Sequence, residues 1–440
     1  MPTSSSNSDL SMYNRESTVS SYCRLFPVQF SSGIGSTVTD SNSKTYLDFL
    51  SGCGSLNYGH NHPELKQALL NYISNDGLAM SLDLHTQAKS HFLQTFAANI
   101  LEPRSLDYLL QFCGPTGSNA NEAAIKLARK ITGRSNIVSF TRGFHGCTMG
   151  SLSLTGNNHH RSPSIHQLMG VTHLPYEGYL GSDVDTSELL IKLIEDTSSG
   201  VDLPAAIILE TIQGEGGLNT ASAQWAQKIA AIAKKHGILL IVDDIQAGCG
   251  RSGTFFSFEP LDIVPDIVTL AKSISGFGLP MSLLLMRKNL DHWFPGEHNG
   301  TFRGNNHAFV TAAKALELFW ATDEFMVTSG LKMDHLISRL QDLSLAYGFA
   351  LKGRGMMSGL DIRDGTLAKK ILMSCFDNGL MFELCGPNDE VIKLLPPLTA
   401  TLDELDRGME ILATAMQSHC SSAKKRSKQR VSDKKRPAIS

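Results

Sequence analysis

Two apolar runs without polar alternation mark the middle of the chain. ILLIV (238–242) and IVTLA (267–271) contain a single threonine and no charged residue. Short continuous apolar runs bounded by polar turns predict strands covered on both faces. Similar runs recur in LPAAIILE (203–210), NIVSF (136–140) and MSLLLM (281–286). Between them the period becomes helical. In SAQWAQKIAAIAKKHG (222–237) Trp225, Ile229 and Ile232 fall on one side, and the segment leads straight into the 238 strand. Strand, helix and strand make a βαβ unit, which predicts parallel pairing. In QFCGPTGSNANEAAIKLARKITG (111–133) a short strand enters a Gly/Thr/Ser turn and a helix follows, with Ala120, Ala124, Leu127 and Ile131 on one face. Lys126, Arg129 and Lys130 toward its end, with Gly133 as the C-cap, agree with the helix dipole.

The flanks read differently. STVTDSNSKTYLDFL (36–50) predicts a hairpin turning over Asp40, Ser41, Asn42 and Ser43. SGCGSLNYGHNHPEL (51–65) is a Gly/Asn-rich loop leading into a helix from about Pro63, and Tyr58, His60 and His62 are candidates for lining a site. AFVTAAKALELFW (308–320) predicts another helix. From about Lys332 shorter helices and strands follow, through VIKLLPPLTA (391–400), to a last helix ending near Gln417. The expected class is α/β. A large domain spans 76–310, and a smaller α+β domain is built from 21–75 and 311–420. A disordered N-terminal tail over 1–20 and a basic disordered tail over 421–440 complete the chain.

Composition narrows the classes. With 440 residues the chain has room for two or three domains, and 18% charged residues is ordinary for a globular enzyme. No apolar run approaches the roughly 20 residues of a membrane helix. The polar N-terminus lacks the apolar segment of a secretory signal. Eight cysteines without CxxC or Cys/His spacing predict reduced thiols, a cytoplasmic protein and no metal site. The net charge of −3 is uneven: residues 423–440 carry eight Lys/Arg and one Asp, which leaves the rest at −10. An acidic body argues against nucleic-acid binding, and the basic end reads as a solvated extension.

The chemistry collects at strand ends. Asp243 and Lys272 each close one of the two central apolar runs, where open α/β sheets bind their ligands. An unpaired ammonium leaving a buried strand is costly. It makes sense as a nucleophilic amine beside a carbonyl compound, and a carboxylate next to it suits a pyridinium nitrogen. That pairing points to pyridoxal 5′-phosphate (PLP). Taken singly, Asp243-Asp244 also reads as a turn and cap, and Lys272 as a chain reaching solvent. Other features point the same way. The amides of Gly117 and Ser118 open a helix and form a natural phosphate site. Phe144 and His145 sit between glycines just past a strand end, where an aromatic can stack on a flat ring. No Walker lysine and no GxGxxG is present, which disfavours a nucleotide.

The stretches FLSGCGSLNYGHN, QFCGPTGSNANEAAIKLARK, ETIQGEGG, LIVDDIQAGCGRSGTFFSFE, PDIVTLAKSISGFGLP, EHNGTFRGNN and VIKLLPPLT follow one another in this order. With them the chain resembles the class III, fold type I, PLP-dependent aminotransferases from about Cys23 to Gln417. Within that family it is similar to the branch acting on L-2,4-diaminobutyrate and 2-oxoglutarate in ectoine biosynthesis. The resemblance implies a large domain with a mostly parallel seven-stranded sheet and a homodimer, or larger homo-oligomer, with shared active sites. It implies Lys272 as Schiff-base lysine and proton shuttle, Asp243 on the ring nitrogen and Glu210 supporting it. Ile245 and Phe144 would flank the ring with His145 beside them, and Gln246 would reach its phenolic oxygen. Gly117 and Ser118 would take the phosphate, and Thr301 would reach the phosphate in the partner subunit. Glu215, paired with Lys393, would form the substrate site, with Tyr58 as a wall. Lys393 stands where the family often has an arginine, and Asp244 where it usually has a glutamate; both agree with the diaminobutyrate branch. The expected reaction moves an amino group from L-glutamate to L-aspartate 4-semialdehyde. Alternatives are an ornithine- or 4-aminobutyrate-type enzyme, diaminobutyrate supply to a siderophore or polyamine route, an aminomutase, and a non-catalytic scaffold.

Overall fold

The computed structural model describes residues 15–161 and 168–433, with side chains described to Cys420. The expected tails over 1–14 and 434–440, and the end of the polar loop after Arg161, lie outside the described residues.

Seven strands form the central sheet. From one edge they run Tyr108–Gly114, Ser282–Arg287, Ile267–Leu270, Leu239–Asp243, Ala206–Leu209, Ile137–Phe140 and Val171–Leu174. The last five are parallel to one another, and Ser282–Arg287 is antiparallel to both its neighbours. Alternate side chains of the central strands enter different layers, as the two-residue strand period requires. Ile207, Leu209, Leu240, Val242 and Val268 join the core that contains Phe92, Phe309 and Trp320. Ile208, Ile241 and Ile267 face the alanine-rich helix Gly117–Thr132. This double coverage is why these strands carry no polar alternation. The helix Ala223–Lys235 links Ala206–Leu209 to Leu239–Asp243, and the Ser222 Oγ cap accepts the Trp225 N–H at 3.1 Å.

The predicted hairpin is Thr37–Asp40 paired with Thr45–Asp48. Leu380–Met381 lies parallel to its second strand, so both ends of the chain share one small sheet. A further antiparallel sheet, ordered Ala350–Arg354, Met357–Asp361, Val391–Leu394 and Glu383–Cys385, packs into the same second core. The last helix differs from expectation. It runs Leu402–Asp433 rather than ending near Gln417, so 421–433 continue it instead of starting a disordered tail. Lysine, arginine, glutamine and alanine are good helix formers, and basic residues suit a helix C-terminus.

Candidate active site

Asp243 is the last residue of its strand and is 5% exposed. Its position is fixed from three sides. Asn121 Nδ2 donates to Asp243 Oδ2 at 2.8 Å, and His145 Nδ1 lies 2.7 Å from the same oxygen. The Ile245 N–H donates to Oδ1 at 3.2 Å. Oδ1 thus keeps acceptor capacity for a donor in the cavity that Asp243 lines. Asn121 is itself held: its Oδ1 accepts from Thr269 Oγ1 at 2.9 Å, and its amide also donates to the His145 carbonyl at 2.8 Å. Burial pushes the His145 imidazole pKa down, but the hydrogen bond and charge of Asp243 outweigh it, and the net shift is upward. Two of these groups were read from the sequence. Asn121 was not; the available signal was one polar residue among the alanines of the helix's buried face.

Lys272 follows the neighbouring strand and opens a short 3-10 turn at φ 53. A non-glycine residue in the left-handed region is strained, and such strain concentrates at functional positions. The turn is anchored across the domains, because Ser273 Oγ donates to the Gly54 carbonyl at 2.7 Å and accepts the Asn57 N–H at 3.1 Å. Lys272 lines the same cavity of about 490 Å³ as Asp243, and its side chain makes no ion pair among the described residues. Gly117, Ser118, Phe144, His145, Glu210, Glu215, Ile245 and Gln246 line it too. The first-turn amides of Gly117 and Ser118 have no partner within their helix. A Cβ on Gly117 would lie 2.6 Å from Ile245 Cδ1, so only glycine lets the helix end come this close.

Glu210 joins two loops, accepting from the Phe144 N–H at 3.0 Å and the Gly214 N–H at 3.1 Å. Burial pushes its carboxyl up to about 7. Gln246 donates to the Cys53 carbonyl at 3.1 Å and approaches Glu215 Oε1 at 3.4 Å. Glu215 pairs with Lys393 at 2.8 Å.

Two residues named from the sequence stand elsewhere. Tyr58 is 3% exposed, stacked on Phe319 at 4.3 Å, and its hydroxyl accepts from Trp320 Nε1 at 2.8 Å, so it is a core residue rather than a pocket wall. Lys393 was expected to pair with Glu215 and to serve as the cation for a substrate carboxylate. Its side chain is 0% exposed, with Nζ 2.8 Å from both Glu215 and Glu383. The reason is register: Glu383 and Lys393 are opposite each other in an antiparallel ladder. Nothing in the local sequence announced Glu383, which reaches Lys393 only through that pairing. Thr301 sits in an exposed turn and does not line this chain's cavity. His60 is engaged with Asp48 at 2.7 Å. Among the described residues no group of three or more His, Cys, Asp or Glu is arranged to hold a metal ion, and no helix is long and apolar enough to cross a membrane.

The cavity suits a flat, anionic, nitrogen-bearing carbonyl compound. It offers free helix amides for a phosphate, apolar side chains for a ring, a fixed carboxylate and an amine. Comparison with known proteins agrees. The family model described as aminotransferase class-III matches residues 20–416. The diaminobutyrate–2-oxoglutarate transaminase of Vibrio cholerae is 54% identical over 91% of this chain and 97% of its own. That of Vibrio parahaemolyticus is 53% identical over 92% and 96%. Among solved structures, a transaminase from the marine bacterium Virgibacillus shares the fold, with a TM-score of 0.83 at 22% identity over 94% of this chain and 99% of that one.

Proposed function

The chain belongs to the class-III aminotransferases, and from that premise we propose that it transfers the amino group of L-glutamate to L-aspartate 4-semialdehyde, yielding L-2,4-diaminobutyrate and 2-oxoglutarate. The observation that carries the chemistry is Lys272 and Asp243 in one cavity, on neighbouring strands, with Asp243 immobilised by Asn121 and His145. The substrate assignment rests on the two Vibrio relatives, whose names specify diaminobutyrate and 2-oxoglutarate.

The residues present fit PLP. Gly117 and Ser118 would hold its phosphate, Phe144 and Ile245 its ring, Gln246 its phenolic oxygen, Asp243 its ring nitrogen and Lys272 its aldehyde carbon. When bound, PLP supplies an electrophilic carbon for amines and a ring that takes up the electron pair released at the substrate carbon. Asp243 would keep the ring nitrogen protonated, and Asn121 and His145 keep Asp243 in place. Lys272 Nζ would be the base that carries the proton between the substrate carbon and the cofactor's aldehyde-derived carbon. Glu210 holds the two loops that frame the ring. Glu215 offers its carboxylate to the free ammonium of diaminobutyrate, and Lys393 steadies that carboxylate from behind.

Ectoine biosynthesis is the pathway we favour for the product, and the cytoplasm the compartment. A homodimer completes the site in this reading, with Thr301 reaching the partner's phosphate. Sedimentation of active holoenzyme as a monomer would refute that. The substrate test is a reverse assay in which L-2,4-diaminobutyrate with 2-oxoglutarate outruns L-ornithine, 4-aminobutyrate and β-alanine. A kcat/KM about tenfold higher for ornithine or 4-aminobutyrate, roughly 1.4 kcal/mol of discrimination, would overturn the substrate and leave the aminotransferase standing.

A further inference from the structure

Glutamate and 2-oxoglutarate each bring two carboxylates, yet the cavity around Lys272 offers them little positive charge. Among its described lining residues the acids are Glu210, Glu215 and Asp243 and the only lysine is Lys272, which is committed to chemistry, while His145 is engaged by Asp243. Lys393 is closed off between Glu215 and Glu383. The missing cations lie next door. A second cavity, of about 510 Å³, meets the first at Phe144 and Glu215, and is lined by Arg142 and Arg161. Glu215 is the sole carboxylate in its lining, and neither arginine is ion-paired among the described residues.

Arg142 is built into place. It follows the strand Ile137–Phe140 at φ 64, a left-handed conformation unusual for arginine. Its backbone is wedged between two glycines: a Cβ on Gly216 would lie 2.3 Å from the Arg142 carbonyl oxygen, and one on Gly156 would lie 3.0 Å from its nitrogen. Gln213 Nε2 also donates to the Thr141 carbonyl at 2.8 Å, tying this loop to the one that carries Glu215. The guanidinium carbon lies 5.5 Å from the centroid of the Tyr179 ring. A ring face supports the flat guanidinium and leaves its N–H edge for a carboxylate.

Resting on the transaminase reading above, we infer that Arg142 and Arg161 form the subsite for the distal carboxylate of the dicarboxylate substrate. Glu215 stands at the boundary between the two cavities. Diaminobutyrate engages it through an ammonium, and a dicarboxylate reaches past it to the arginines. The two substrates are thus separated by charge on either side of one wall.

The test uses holoenzyme carrying Arg142→Asn, Arg161→Gln, or both. Asparagine tolerates the left-handed backbone, so the first change removes charge without new strain. Two quantities are read: KM for 2-oxoglutarate with diaminobutyrate as donor, and the calorimetric Kd of glutarate, a dicarboxylate that cannot react. Each single change should raise both by about tenfold, as loss of a charge-assisted hydrogen bond does. The double variant should raise them further, with kcat and the KM for diaminobutyrate much less affected. Arg142→Lys should restore part of the loss, because it keeps charge but not the fork. Absence of glutarate binding to the wild type, or a double variant that binds it within about twofold of wild type, overturns the inference. If diaminobutyrate proves not to be a substrate while glutarate binding still depends on both arginines, the transaminase substrate falls and the dicarboxylate subsite stands.

Discussion

Asp243 and Asp244 are adjacent acids with opposite surroundings. Asp243 is held by Asn121, His145 and the Ile245 amide, so its carboxyl is fixed where it can face a ligand's ring nitrogen. Asp243→Asn should keep the circular dichroism of the wild type while transamination falls by at least about 10², the scale of other positioned catalytic groups. A near-normal rate would remove Asp243 from the mechanism. Asp244 lies within the core, where its Oδ2 accepts the Ser257 N–H at 3.0 Å and its Oδ1 has no partner. Burial pushes its carboxyl from 3.8 up to about 7. The folded state therefore holds this proton more tightly than the unfolded chain. That stabilisation is complete below about pH 3.8 and is lost as pH rises through about 7. Asp244→Asn removes the titration, so its Tm should gain on the wild type as pH increases across that window. Calorimetry of the apoprotein that finds a constant gap would show that the carboxyl does not titrate there.

At the scale of elements, the helix Gly117–Thr132 does two jobs. Its alanine face packs against Ile208, Ile241 and Ile267, and its first turn forms one end of the cofactor cavity. The close approach of Gly117 to Ile245 joins the two. Gly117→Ala would drive Ile245 into a new rotamer, since the contact is with the far end of a side chain. Ile245 lines the cavity, so the PLP Kd should rise by about tenfold. Apoprotein stability should change by less than about 1 kcal/mol, because alanine is the better helix former. Fluorescence titration with PLP beside apoprotein melting separates the two effects. Equal losses of both would mean the glycine serves packing alone.

At the scale of the molecule, the chain builds two large apolar cores. The first surrounds the seven-stranded sheet, and the second collects residues from Phe26 to Cys420, drawing on both chain ends. Lys272 belongs to the first body, and its turn is fastened to the 51–57 loop through Ser273. The basic segment 423–440 carries eight Lys/Arg and only two large apolar residues, Val431 and Ile439, so it has little apolar surface to bury. Deleting 423–440 should therefore leave kcat/KM unchanged and shift Tm by no more than about 2 °C. A collapse of either would give that end of the last helix a structural role.

The fold was legible because its strongest signals are periodic. Unbroken apolar runs such as IVTLA arise only where a strand is covered twice, and the helices between them carry a clear 3.6-residue stripe. Lys272, Asp243, Gly117 and Phe144 were legible for a related reason: each closes or follows a strand, and strand ends in such sheets converge on one crevice. Local sequence also predicted the hairpin and the Gly133 helix cap, which depend on a few neighbouring residues. Other features depended on packing between distant segments. Asn121 became a clamp for Asp243 only when its helix was laid across the strand ends. Tyr58 looked like a loop residue, and the meeting of its loop with Phe319 and Trp320 buried it. Lys393 was expected to face Glu215 alone until a strand pairing placed Glu383 beside it as well. Arg142 gained its position from two glycines, one of them more than seventy residues away in the chain. Periodicity is a property of a segment and survives in one dimension. The partner of a buried charge is set by which segments the folded chain brings within about 3 Å, and that is decided only in three.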